Sequence, residues 1–72
     1  MREVEVTSEV ITLQQLLQLA GAVDTGGEAK NLIGTLAVSV NGEPEGRRGR
    51  KLRAGDVVEV ADGESFRVTA PA

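Results

Sequence analysis

The chain has 72 residues, of which 8 are basic and 11 acidic, giving a net charge of −3, with no His, no Cys and one aromatic residue, Phe66. This length supports one small core and so one domain over residues 1–72, while the absence of Cys excludes disulfide staples and thiolate metal sites and fits a cytoplasmic protein. Without His or Cys no nucleophile, base and orienting group can be assembled, so neither enzymatic activity nor a cofactor is expected, and a lone Phe excludes binding of bases on a platform of exposed rings.

Met1, Arg2 and Glu3 open a stretch in which charge alternates with valine. No apolar run of signal-peptide or membrane-span length follows, and no membrane association is expected. Period-two alternation from Glu3 to Thr7 predicts a half-buried strand over residues 2–7. Thr12 followed by Gln15 forms a capping box, Ile11 and Leu16 are placed as its hydrophobic staple, and Leu13, Leu16, Leu17 and Ala20 make one apolar stripe. A short helix over residues 13–20 is predicted, with Gly21 ending it in the left-handed conformation.

The same grammar then repeats. Thr25 caps with Glu28, and Ala29, Leu32, Ile33 and Leu36 form a second stripe at helical spacing. Val38 and Val40 predict a strand that runs into an Asn41-Gly42 turn, and Pro44, which has no amide hydrogen, restricts the next segment to an edge or a loop. Ala54-Gly55-Asp56 marks a turn, Val57 to Val60 a strand, Asp62-Gly63 another turn, and Ser65 to Thr69 a last strand with Phe66 and Val68 on its core face. The expected fold class is α+β, with two short N-terminal helices packed on a small, largely antiparallel sheet of about four to five strands.

Charge is sorted along this chain. Arg47, Arg48, Arg50, Lys51 and Arg53 fall in one seven-residue stretch without an acid, whereas the remainder holds three basic residues against eleven acidic ones. A body of −8 therefore carries a patch of +5, and clustered Lys and Arg predict an anionic partner. Gly46 and Gly49 flank and interrupt the run, so the chain can bend and its guanidinium forks can follow phosphates; the alternative is a mobile, solubilising loop. Arg53, next to Leu52, can instead cover the sheet edge with its stem. Glu43 and Glu45 are expected to form exposed pairs with these arginines when no partner is bound, each contributing only about 0 to 1 kcal/mol. Lys30 lies off the second helix's apolar stripe, toward solvent, where it is either a contact residue or an ordinary surface lysine.

The helix pair, Leu32-Ile33, Val38-Ser39-Val40-Asn41-Gly42, the basic segment and Leu52-Arg53-Ala54-Gly55-Asp56-Val57-Val58 together resemble the S-four RNA-binding domain, the alpha-L motif of ribosomal small-subunit protein four. Gly26-Gly27-Glu28-Ala29-Lys30 and Arg47-Arg48-Gly49-Arg50-Lys51-Leu52 are most similar to its small stand-alone bacterial members of the YbcJ type. The resemblance covers about residues 10–60; Val-Asn-Gly or Ala-Gly-Asp taken singly would match many hairpins. Where many members carry Ser-Arg at the start of the second helix this chain has Thr25-Gly26, and where they often have glycine after that helix it has Leu36.

The resemblance implies a monomeric module that binds structured RNA, ribosomal or tRNA-like, with further partners among ribosome or ribosome-assembly components. It implies a contact set of Lys30, Arg47, Arg48, Arg50, Lys51 and Arg53, with Gly26 and Gly27 able to offer helix-start amides to a phosphate unless they only serve the turn. A ribosome-associated or protein-interaction module that docks the same loop on an acidic protein is the alternative. A ubiquitin-like sulfur carrier is disfavoured because the sequence ends Ala70-Pro71-Ala72 in place of Gly-Gly.

Overall fold

A computed structural model describes residues 1–71; Ala72, last residue of the Ala-Pro-Ala ending, lies outside them. In chain order the elements are β1 (Arg2–Glu5), β2 (Ile11–Thr12), α1 (Leu13–Leu19), α2 (Gly26–Gly34), β3 (Val38–Val40), β4 (Glu43–Pro44), β5 (Lys51–Leu52), β6 (Val57–Val60) and β7 (Ser65–Thr69). Five strands form one sheet in the order β1-β7-β6-β3-β4, and β2 and β5 form a separate two-stranded pair.

The sheet is antiparallel except at one edge, where β1 runs parallel to β7 with Val4 opposite Val68. Two strands thus precede the helices, so the helix pair is internal, a correction to the N-terminal placement expected from the sequence. The alternation of Val4 and Val6 gives the reason: both are buried, and a strand with one apolar face needs a sheet edge, which β7 supplies. Val6 N–H still donates to Thr69 O at 2.8 Å, so pairing continues one residue beyond β1.

Val4, Val38, Val40, Val58, Val60, Phe66 and Val68 line the sheet's inner face and pack with Leu13, Leu16, Leu17, Ala29 and Ile33 of the helices in one core. Phe66, alone among aromatics, is wholly buried there. The outer face is solvated, and Glu3 sits directly across from Arg67. Opposite charges on neighbouring strands favour that register and keep the open face soluble.

The two turns that bear the family-like tripeptides are one structure. Asn41 (φ 52°) and Gly42 (φ 87°) both have positive φ, as a two-residue hairpin turn between β3 and β4 requires. The Asn41 side chain then bridges to the turn before β6: its Nδ2 donates to Asp56 Oδ1 at 3.1 Å and its Oδ1 accepts from Val57 N–H at 2.9 Å. Asp56 also accepts from Arg53 N–H at 2.9 Å, so the chain leaving the basic segment is held by the same network. β4 lies at the open edge, and since Pro44 has no N–H, Glu45 N–H makes the next ladder bond, to Val38 O at 2.9 Å. That bond fixes the start of the basic loop.

Candidate nucleic-acid interface

The basic loop is built onto the start of α1. Thr12 Oγ1 accepts from Gln15 N–H at 3.2 Å and Gln15 Oε1 accepts from Thr12 N–H at 3.0 Å, completing the predicted capping box. The two intervening amides are satisfied by the loop: Leu13 N–H donates to Arg50 O at 2.8 Å and Gln14 N–H to Arg48 O at 3.1 Å. These bonds extend the β2–β5 pairing into the helix, and they hold residues 48–50 against an element whose Leu13, Leu16 and Leu17 are fully buried. The loop is therefore anchored, which corrects the mobile alternative.

Glu45 supplies the second anchor. The sequence predicts an exposed pair; instead Glu45 is 7 % exposed and receives four donors on its two oxygens. Oε2 accepts from Arg47 N–H at 3.1 Å and Arg47 Nε at 3.0 Å, and Oε1 accepts from Arg47 Nη2 at 3.1 Å and Arg50 Nη1 at 2.8 Å. The side-chain bonds from Arg47 and then Arg50 hold its carboxyl pKa at about 2, and that of Arg47 is raised in turn by the same bonds. The carboxylate stays ionised across the neutral and mildly acidic range. It sits in sequence just before the run of cations but folds in among them, where two of the five, Arg47 and Arg50, share it.

The structure brings Lys30, Arg47 and Arg48 together along one groove, sets Arg50 behind them on the Glu45 carboxylate that Arg47 also holds, and leaves Lys51 and Arg53 outside that groove. An open groove of about 680 Å³ runs between α2 and the loop, lined by Lys30, Asn31, Ile33, Gly34, Gly46, Arg47, Arg48 and Gly49. Arg47 is 74 % exposed at its side chain, whereas Arg50 is 35 % exposed and turned to Glu45. Lys51 is exposed on β5, alternating with buried Leu52 and opposite Thr12, outside the groove lining. Arg53 is exposed and lines a different recess, with Val6, Leu52 and Val68.

Two contributors escape a reading of the sequence. Asn31 adds an exposed amide beside Lys30, and Gly34, one turn on from Lys30, leaves the groove wall without a side chain. A Lys-Asn pair off the apolar stripe, one turn before a glycine, is the signal that could have found them. A Cβ at Gly26 would lie 2.7 Å from Gln14 Nε2, the end of a flexible side chain that can move aside, so packing alone does not require glycine there. Beside it, Glu28 Oε2 accepts from Asp24 N–H at 3.4 Å, placing a carboxylate at the helix start and making that end unsuited to a phosphate.

A family profile described as the S4 domain matches residues 4–69, nearly the whole chain. The protein therefore belongs to the S4 domain family. It is 48 % identical over 65 residues to a Bacillus subtilis (strain 168) protein named "Probable ribosome maturation protein RlbA", covering 90 % of this chain and 92 % of that one. Among solved structures it is similar to 30S ribosomal protein S4e from Thermoplasma acidophilum, with a TM-score of 0.63 and 25 % identity; the match covers 85 % of this chain but 32 % of that larger one. No helix among the described residues is long and apolar enough to cross a membrane.

Proposed function

We propose that this S4 domain binds structured RNA, ribosomal or tRNA-like, along the groove between α2 and the basic loop, as a non-enzymatic module in ribosome maturation. The observation that carries the reading is the convergence of Lys30 and Asn31 from a helix with Arg47 and Arg48 from a loop 17 positions on, across one open groove. Cations presented on two rigid walls suit the spaced phosphates of a folded backbone, and in A-form RNA shape and phosphate are what such a surface can read. Lys51 extends the basic surface outside the groove, and Arg53 lines a separate recess. The names borne by the Bacillus and Thermoplasma relatives support a ribosomal setting.

The test is a titration of a short ribosomal RNA hairpin by fluorescence anisotropy from low to moderate salt. With about three to five phosphates engaged, log affinity falls against log salt with a slope of roughly −2 to −4.5. Replacing Lys30, Arg48 and Lys51 together with Ser flattens that slope by about 1 for each phosphate no longer neutralised and leaves the circular dichroism spectrum unchanged. A salt-insensitive complex, or full affinity in the triple variant, would reject the groove as the RNA site.

A further inference from the structure

We propose that the groove contains a phosphodiester subsite formed by Arg47, and that buried Glu45 is the positioning residue that aims it; this rests on the RNA-binding reading above. Guanidinium has five N–H donors in a rigid fork. Arg47 gives Nε–H and one Nη2–H to the two oxygens of Glu45, at 3.0 and 3.1 Å, which fixes the plane of the group from one edge. Its adjacent edge keeps the second Nη2–H and both Nη1 hydrogens, and that edge is the fork which suits two phosphate oxygens side by side.

The two arginines on Glu45 are not equivalent. Arg50 contributes one nitrogen at 2.8 Å and is 35 % exposed, which is the part of an anchor. Arg47 is held at two nitrogens and at its backbone N–H, yet 74 % of its side chain faces solvent, and it lines the groove with Arg48, Lys30 and Asn31. An ion pair serving the fold alone has no need to leave so much of its cation open. A guanidinium already fixed before RNA arrives also loses less rotamer freedom on binding, so one carboxylate that reduces the patch's total charge improves the part of it that is used.

This predicts an effect opposite in sign to simple attraction. Glu45→Gln removes a negative charge from beneath a cationic surface, so unoriented electrostatics would tighten the RNA complex. Positioning predicts that the hairpin binds at least about fivefold more weakly, the scale of one ordinary hydrogen bond. Arg47→Lys keeps the charge and loses the fork; it should weaken binding by a similar factor with the salt slope unchanged, and adding Glu45→Gln to it should cost little more.

Thermal melts monitored by circular dichroism establish that each variant is folded, and if Glu45→Gln does not fold, Arg47→Lys decides, since it retains Glu45 and its bond to Arg50. Equal or tighter binding by a folded Glu45→Gln, or full affinity in Arg47→Lys, overturns the inference while the RNA reading stands. Absence of RNA binding by the unaltered protein at low salt overturns both. Preference for a poly-glutamate peptide over the hairpin at matched salt would overturn the phosphodiester assignment, because it would make the fork a carboxylate site.

Discussion

The two helices are written in nearly the same way and do different jobs. Each begins with Thr followed three residues later by Gln or Glu and carries an apolar stripe, but α1 buries Leu13, Leu16 and Leu17 whereas α2 buries only Ala29 and Ile33 and keeps Leu32 half-covered. The first turn of α1 receives the basic loop's carbonyls; the exposed side of α2 forms the opposite wall of the groove. One helix is the post to which the loop is tied, and the other faces it. What separates them is burial, since local propensity is shared.

The largest effect expected from that contrast is in the core. Leu16→Ala removes a fully buried side chain from α1 and should cost about 2 to 5 kcal/mol, a large part of the stability of so small a domain. Leu32→Ala on α2, already half-exposed, should cost clearly less. Urea unfolding of both variants measures the difference, and equal losses would mean that the helices carry the fold alike.

Caps provide a smaller contrast. Thr12→Ala disrupts a full capping box at a helix start packed against the loop, and about 1 kcal/mol or somewhat more is expected. Thr25→Ala breaks one cap bond, Glu28 N–H to Thr25 Oγ1 at 3.1 Å, at an exposed start. Its cost should be at the lower end, about 0.5 kcal/mol. Amide hydrogen exchange would sharpen the comparison: Thr12→Ala should also speed exchange at Leu13 and Gln14, the amides bound to the loop.

The helix ends differ in the smallest and most informative way. After α1, Gly21 takes φ 76° and its N–H donates to Gln18 O at 3.1 Å, while Ala22 N–H donates to Leu17 O at 2.9 Å, a complete Schellman ending. After α2 the same place is held by Leu36, at φ 60°, with its N–H on Ile33 O at 3.0 Å and the Thr35 hydroxyl donating to Leu32 O at 2.8 Å. A leucine there bears strain that glycine does not. Leu36→Gly should therefore raise stability slightly, by at most about 1 kcal/mol, less whatever its packing over Gly46 contributes. A clear drop in melting temperature would show that this packing outweighs the backbone strain.

Leu36 also marks where helical spacing misleads. It continues the i, i+3, i+4, i+7 series of α2, so periodicity assigns it to the apolar stripe, yet it lies past the helix end and is 58 % exposed. The resemblance holds the better signal, a position where family members often carry glycine. In contrast, the Thr12 box, the Gly21 ending, the Asn41-Gly42 turn and the last two strands are legible because each depends on residues within a few positions of one another. The parallel pairing of β1 with β7 is not, since it joins segments far apart in the chain through alternation that specifies a face and leaves the partner open.

The candidate site divides along the same line. Sequence alone established an acidic body with one cationic run, a single aromatic ring, no His or Cys, and a helix whose Lys30 faces outward, because charge, composition and helical period are properties of neighbours along the chain. Tertiary structure decided which cations share a surface. It folded Glu45 under Arg47 and Arg50, set Arg47 and Arg48 across from Lys30 and Asn31, and sent Arg53 to another recess. Those outcomes rest on distances between residues remote in sequence and on the burial of one carboxylate, and both exist only once α1, α2 and the sheet have packed together.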